Sequence, residues 1–86
     1  QIMKITVYST KTCGYCNMLK NWLNDKSVEY TEYKVDENPI AAQSMVNLSG
    51  QMGVPFSTIE YEDGQIEKIV GFDRMRFEAA LAAGKI

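Results

Sequence analysis

Two cysteines, Cys13 and Cys16, stand three positions apart and are the only cysteines of the 86-residue chain. The chain has no histidine, which excludes Ser-His-Asp and Cys-His catalysis and most catalytic zinc sites. A zinc half-site would need two further Cys or His ligands, and the chain offers none. A disulfide that closes only four residues removes little conformational entropy from the unfolded chain and therefore adds little stability. The spacing therefore predicts reversible thiol–disulfide chemistry and no metal site.

The elements around the pair assign different roles to the two sulfurs. Residues 5–8 read as a short buried strand, residues 9–12 as a polar loop, and residues 16–26 as a helix with apolar residues at helical spacing. Cys13 then lies at the N-terminal edge of that helix, where unpaired N–H groups and the helix dipole favour a thiolate. We expect its pKa to fall below the free value of about 8.5, with Lys11 adding positive charge if its side chain points toward the sulfur.

Cys16 lies deeper, inside the first helical turn, and should stay protonated until it is needed. Cys13 is therefore predicted to attack a substrate disulfide and form a mixed disulfide. Cys16 is predicted to attack Cys13 next and release the reduced substrate.

The rest of the chain predicts an α/β protein with one domain, residues 1–86, in the order β-α-β-α-β-β-α. The second strand, 28–35, changes the parity of its apolar residues, so we expect a bulge near Thr31. Asn38 and Pro39 start a second helix, which carries an apolar stripe and closes at residues 49–50. The predicted stripe consists of Ile40, Met45, Val46 and Leu48.

Two strands and a helix complete the predicted fold. Strands 55–60 and 66–70 form a hairpin through Asp63-Gly64, and Asp73 caps a last helix that ends at Gly84. A β-α-β start must be parallel and right-handed, whereas the hairpin is antiparallel. The result is a four-stranded mixed sheet flanked by three helices, an arrangement that resembles the thioredoxin-like fold.

Composition and charge exclude several other functions. The formal net charge of −2 excludes a strong electrostatic attraction to nucleic acid or to an anionic membrane surface. No apolar run approaches the roughly 20 residues that a membrane span requires. Residues 1–4 lack the layout of a signal peptide, so we expect a cytoplasmic protein, and we expect it to be a monomer.

Two further segments carry chemistry in this arrangement. Pro55 opens the third strand, and a Val-Pro bond on sequence grounds alone is usually trans, since only about one X-Pro bond in twenty is cis. Gly71-Phe72-Asp73 reads either as a turn with a capping aspartate or as a helix N-terminus beside the active site, able to bind a carboxylate. The residues alone support both interpretations of this segment equally.

Taken together, Ile5-Thr6-Val7-Tyr8-Ser9, Cys13-Gly14-Tyr15-Cys16, Val54-Pro55 and Gly71-Phe72-Asp73 resemble the glutaredoxin family. The resemblance implies a nucleophile at Cys13, a resolving thiol at Cys16 and a cis peptide before Pro55. It also implies a groove for glutathione or a substrate peptide along Tyr15, Val54 and Asp73, with disulfide-containing proteins as substrates. No tightly bound cofactor is expected, and glutathione would be a co-substrate.

The chain departs from that family at several positions. Gly14 stands where the family usually has Pro, Gly53 where it has Thr, and Thr10 where it has a basic residue. The usual Gly-Gly-Cys-Asp-Asp run is reduced to Val70-Gly71-Phe72-Asp73-Arg74, which loses one of two acids that would hold the glutathione amine.

These departures bear on the electron donor and on an alternative function. The Gly71-Phe72 pair resembles the NrdH-type redoxins, which draw electrons from thioredoxin reductase. We therefore predict weak use of glutathione. The alternative is a [2Fe–2S] cluster held between two protomers by the first cysteine and glutathione, which the Gly14 position makes conceivable. An interaction domain without redox activity is disfavoured because both thiols are present.

Overall fold

A computed structural model describes residues 3–84 and contains seven elements. In chain order they are β1 (Lys4–Ser9), α1 (Gly14–Asp25), β2 (Thr31–Lys34), α2 (Pro39–Ser49), β3 (Phe56–Glu60), β4 (Ile66–Val70) and α3 (Arg74–Gly84). The strands form one sheet in the order β2-β1-β3-β4. β1 and β2 are parallel, whereas β3 is antiparallel to both β1 and β4. The predicted element order and mixed sheet are confirmed.

The sheet is covered on both faces, and each face has its own apolar cluster. On one face, Ile5 and Val7 of β1 pack with Leu19 and Leu23 of α1 and Phe77 of α3, in a cluster we call the α1/α3 core. On the other face, a smaller cluster that we call the α2 core is built from Tyr8, Ala41, Met45 and Phe56. Neighbouring strand residues point to opposite faces, so β1 contributes to both.

The second strand is shorter than predicted and has no bulge. Ser27 adopts a left-handed conformation with φ of 58°, and the Val28 N–H returns to the Leu23 carbonyl, so residues 28–30 leave the helix before strand pairing begins. From Thr31 onward, the register with β1 is unbroken. The parity of the apolar residues changes because Val28 and Tyr30 pack on the α1/α3 core and Val35 on the α2 core.

The apolar stripe predicted for α2 is also corrected. The residues that face the sheet are Ala41 and Met45, one turn apart, whereas Ile40 and Leu48 are exposed. Val46 is half-buried. The small Ala41 side chain lets the helix approach the sheet closely, and sequence hydrophobicity favoured the larger neighbouring residues instead.

Three helices begin at the same end of the sheet. β1, β2 and β4 run in one direction, and each is followed by a helix whose first residue lies a short loop beyond the strand. The capping residues are Cys13 for α1, Asn38 for α2 and Asp73 for α3. We call this end of the molecule the cap end. Within residues 3–84 no helix combines the length and apolar character that crossing a membrane requires.

Candidate active site

Cys13 occupies the N-cap of α1, as predicted. Its backbone is extended, with φ of −89° and ψ of 109°, and its carbonyl accepts a hydrogen bond from the Asn17 N–H at 3.2 Å. Its Sγ accepts a hydrogen bond from the Cys16 N–H at 3.1 Å. The sulfur therefore takes the place that an oxygen of Ser, Asp or Asn usually fills at a helix start. A backbone donor and the positive end of the helix dipole both favour negative charge on this atom.

The two cysteines are joined in a disulfide but differ in exposure. Their Cα atoms lie 5.2 Å apart, so the bond closes within the first helical turn. Cys16 is fully buried, at 0% exposure, whereas Cys13 is half-buried. A partner molecule approaching from solvent reaches Cys13 first, which matches the predicted division into an attacking and a resolving thiol.

Lys11, in the loop before Cys13, is paired with two acidic residues. Its ammonium forms an ion pair with Glu37 at 2.9 Å, and its backbone N–H donates to the Asp36 carboxylate at 3.1 Å. The hydrogen bond to Glu37, with the charges of Glu37 and Asp36, raises the pKa of Lys11. Lys11 thus ties the loop before Cys13 to the loop before α2. Whether its charge also supports the Cys13 thiolate, and whether Lys11 contacts glutathione or substrate, stay predictions.

Val54 and Pro55 lie at the cap end, because Phe56, which follows them, pairs with Tyr8 and Val70. The peptide bond between Val54 and Pro55 is cis, as the family resemblance implied. Pro55 is buried, and its carbonyl accepts the Gly71 N–H at 2.7 Å. The Val54 side chain packs on the α2 core. Within residues 3–84, no hydrogen bond uses the Val54 N–H or carbonyl.

The segment Gly71-Phe72-Asp73 is used mainly to build the fold. Gly71 has φ of +80°, a conformation that favours glycine. The Phe72 ring packs against Trp22 and Phe77, with centroids 6.2 and 6.5 Å away. The ring therefore belongs to the α1/α3 core, and a contact of Phe72 with glutathione or substrate stays a prediction, as it does for Gly71.

Asp73 performs the capping role that its position suggested. Its Oδ1 accepts the Arg76 N–H at 3.2 Å, and its carbonyl accepts the Phe77 N–H. The neighbouring Arg74 pairs with Glu78 at 3.4 Å on the exposed face of α3. The turn-and-cap interpretation is confirmed, and binding of a carboxylate or an amine at this helix start stays a prediction.

Apolar side chains at the cap end are exposed, and the sequence analysis identified only one of them. Tyr15 is 67% exposed, in agreement with the prediction that it lies at the surface. Ile40 and Met75 are 81% and 80% exposed, and each, like Tyr15, is the second residue of its helix. Met52, 79% exposed, lies in the loop that leads to Val54. The available signal was positional, since a large apolar residue recurs two places after each cap.

Within residues 3–84 no three side chains of the His, Cys, Asp or Glu type come together in a way that could hold a metal ion. The reactive groups that this site offers are the two cysteine sulfurs.

Comparison with known proteins agrees with this site. The glutaredoxin family model matches residues 5–59. A glutaredoxin-like protein from the rubredoxin operon of Clostridium pasteurianum is 35% identical over 74 residues, covering 86% of this chain and 92% of that protein. The glutaredoxin-like protein NrdH of Lactococcus lactis is 32% identical over 44 residues, covering 51% and 61%.

A solved structure supports the same conclusion for the fold. The glutaredoxin from Methanosarcina mazei superposes with a TM-score of 0.74 at 25% identity, covering 91% of this chain and 77% of that one. The fold is therefore the thioredoxin-like fold that the element order predicted. With a Cys-X-X-Cys pair at the start of its first helix, the chain belongs to the glutaredoxin family of thiol–disulfide redoxins.

Proposed function

We propose that this protein is a dithiol oxidoreductase that reduces disulfide bonds in other proteins. The observation that carries the proposal is the geometry of the pair, in which Cys13 is half-buried and its sulfur accepts a helix N–H, while Cys16 is fully buried. A helix N-terminus lowers the free energy of a thiolate relative to a thiol, and the thiolate is the reactive form.

The reaction begins with the reduced protein. The Cys13 thiolate attacks one sulfur of the substrate disulfide, and the other substrate sulfur leaves as a thiolate that takes up a proton. The Cys16 thiol then loses its proton and attacks the Cys13 sulfur. The Cys13–Cys16 disulfide forms and the second substrate thiol is released. Two electrons pass to the substrate, and a donor dithiol must return them to the protein.

The surface around Cys13 favours a protein as the substrate. The exposed side chains of Tyr15, Ile40, Met52 and Met75 lie at the cap end, where the reactive sulfur also lies. We take these exposed apolar side chains, at the same end of the molecule as Cys13, as support for a protein partner. Glutathione is a small, highly charged tripeptide and would leave most of these side chains in water.

We also propose a thioredoxin reductase-like flavoenzyme as the electron donor in preference to glutathione. The glutathione amine needs acceptors at the start of α3, where Asp73 already accepts the Arg76 N–H and Arg74 is cationic. Losing one charge-assisted hydrogen bond costs roughly 1.5–3 kcal/mol, about tenfold or more in affinity. The Gly71-Phe72 pair, similar to that of NrdH-type redoxins, supports the same donor. We also propose that the protein acts in the cytoplasm as a monomer.

A coupled assay tests both parts of this proposal. NADPH consumption during reduction of insulin disulfides is followed with thioredoxin reductase, and separately with glutathione and glutathione reductase. We expect turnover with the former and little with the latter, and a higher rate with glutathione for Arg74→Asp, which restores the second acid. Efficient turnover of the unmodified protein with micromolar glutathione, or a lower rate for Arg74→Asp, would contradict the donor assignment. No turnover with either donor would contradict the function.

One observation favours a second candidate function, the binding of a [2Fe–2S] cluster between two protomers through Cys13 and glutathione. A Cβ atom placed on Gly14 would meet no atom within 4 Å, so the surroundings of Cys13 are open on that side. Visible absorbance of freshly purified protein distinguishes the two functions. A brown protein that loses its colour in air would support the cluster, and a colourless one supports the dithiol enzyme.

A further inference from the structure

The loop between α2 and β3 is held by one side chain that folds back on its own backbone. The Gln51 Nε2 donates to the Gly53 carbonyl at 3.2 Å, and the Gln51 Oε1 accepts the Gly53 N–H. Both polar groups of Gly53 are therefore bonded to a single amide. Nε2 also lies 3.2 Å from the Ser49 hydroxyl, which donates to the Met45 carbonyl inside α2. The loop is thus braced against the end of the helix.

The Gln51 amide occupies the space where a side chain on residue 53 would lie. A Cβ atom at this position would come within 2.7 Å of the Gln51 Oε1, closer than real Cβ atoms approach a neighbour. Gly53 is not among the residues with a positive φ, so the backbone itself would accept another residue. A residue with a side chain at position 53 would therefore displace the Gln51 amide and break these hydrogen bonds.

We infer that Gln51 is a positioning residue that holds the Val54 backbone in place for pairing with an extended substrate segment. This inference rests on the proposed function. Val54 directly follows the braced residue, and its partly buried side chain packs against the α2 core. Its N–H and carbonyl are engaged by no other group within residues 3–84. Between the brace on one side and the paired strand β3 on the other, Val54 can present these groups in one orientation.

A substrate segment that pairs with Val54 gains affinity from main-chain hydrogen bonds, as when a peptide adds to a sheet. Gln51 itself need not touch the substrate. Without its amide, residues 51–54 must be ordered each time a substrate binds, and that ordering lowers affinity. A small disulfide reagent has no backbone to pair, so its reaction at Cys13 should not depend on the brace.

The test uses four variants of the full chain: Gln51→Ala, Gly53→Thr, the double variant, and Gln43→Ala as a matched control. Gln43 lies on the exposed side of α2, and its amide donates to the Asn47 Oδ1 at 3.0 Å. KM and kcat are measured with insulin and with hydroxyethyl disulfide, using a donor on which the unmodified protein is active. Hydrogen exchange of the Gly53 amide is measured as well, because it reports on the brace without any enzymatic turnover.

For Gln51→Ala, we expect KM for insulin to rise about three- to tenfold, the effect of one lost hydrogen bond. We expect kcat and the rate with hydroxyethyl disulfide to stay within about twofold, as both should for Gln43→Ala. Gly53→Thr displaces the amide and should match Gln51→Ala, and the double variant should be no worse than either single one. Exchange at Gly53 should accelerate in all three variants.

Other outcomes would overturn the inference. Equal losses with insulin and with hydroxyethyl disulfide would show a general structural defect. Unchanged KM for insulin, additive effects in the double variant, or unchanged exchange at Gly53 would each show that Gln51 does not position this loop. Failure of the proposed function is a different result, since the unmodified protein would then reduce neither disulfide while the exchange measurement still reports on the brace.

Discussion

The N-termini of α1 and α2 have the same local structure but different roles. Both helices follow parallel strands, start at the cap end and have a capping residue with extended backbone. In α2 the Asn38 Oδ1 accepts the Ala41 N–H at 3.0 Å, and in α1 the Cys13 Sγ accepts the Cys16 N–H at 3.1 Å. The capping atom is an amide oxygen in the first case and a sulfur in the second.

That one difference separates a structural device from a reactive one. The amide oxygen of Asn38 is a strong acceptor with no redox chemistry, so its bond only satisfies a helix N–H and stabilises the fold. Sulfur is a weaker acceptor when neutral and a better one when ionised, so the same bond at α1 favours the ionised sulfur. The comparison predicts that changes at Cys13 affect activity more than stability and that changes at Asn38 do the reverse.

The largest effect is expected for Cys13→Ser. Disulfide reduction should be abolished, because a hydroxyl is not a thiolate nucleophile at neutral pH. Serine is among the preferred capping residues, so the helix should survive. The thermal midpoint should therefore equal that of the unmodified protein under reducing conditions, a control that also lacks the disulfide. Residual turnover, or a midpoint well below that of the control, would contradict the comparison.

Cys16→Ser should stop the reaction after the mixed disulfide has formed. Cys13 remains available to attack, but the resolving thiol is missing, so a mixed disulfide with the substrate should accumulate. Mass spectrometry after mixing with a protein disulfide should detect the adduct on the peptide that contains Cys13. An adduct that never forms, or one that forms equally in Cys13→Ser, would reverse the roles assigned to the two sulfurs.

A smaller and opposite effect is expected for Asn38→Ala. Loss of a helix cap typically costs about 1 kcal/mol in the free energy of unfolding, so chemical denaturation should detect it. The rate with hydroxyethyl disulfide should stay within about twofold of that of the unmodified protein. Asn38→Asp keeps a capping oxygen and should restore most of the stability. A large loss of activity in Asn38→Ala would show that the two helix starts are not independent.

The capping residues were the part of the molecule most accessible from the sequence. A cap is a local pattern, and Cys13, Asn38 and Asp73 were each assigned from their nearest neighbours. The turn at Gly64 was equally accessible, with φ of +90°. Thiol–disulfide chemistry could also be predicted from the sequence, because the two residues of the Cys-X-X-Cys pair are close both in sequence and in space.

Features that depend on distant partners were not accessible. The ion pair that engages Lys11 involves Glu37, which only the parallel pairing of β1 and β2 brings near. The exposure of Ile40 depends on which face of α2 meets the sheet, and that face carries Ala41. The fold of the Gln51 side chain onto Gly53 has no sequence signature, because glutamine amides reach many partners.

The smallest effect concerns how α1 is attached to the sheet. Lys20 of α1 and Ser9 of β1 both donate to the Glu32 Oε2, at 2.8 and 2.6 Å. Burial raises the pKa of Glu32, but the hydrogen bonds from Lys20 and Ser9 outweigh it and leave that pKa below its ordinary value. A carboxylate with a lowered folded-state pKa stabilises the fold above its unfolded pKa, about 4.3, and loses that contribution as pH falls through the folded value.

Glu32→Gln should therefore be less stable than the unmodified protein at neutral pH, with the difference shrinking as pH falls below about 4.3. Urea denaturation at several pH values measures this difference in the free energy of unfolding. Glu78→Gln serves as the control, because the pair that Glu78 forms with Arg74 is exposed to solvent. A difference in unfolding free energy between Glu32→Gln and the unmodified protein that is constant with pH would show that the charge of Glu32 contributes nothing.

The central claim is that the helix start makes Cys13 the reactive thiol, and alkylation of the reduced protein tests it most directly. Iodoacetamide is added for short times across a range of pH, and the modified peptides are quantified by mass spectrometry. The account predicts that Cys13 reacts much faster than Cys16 at neutral pH and stays reactive well below pH 8.5, the approximate pKa of a free thiol. Equal rates for the two thiols at neutral pH would contradict it.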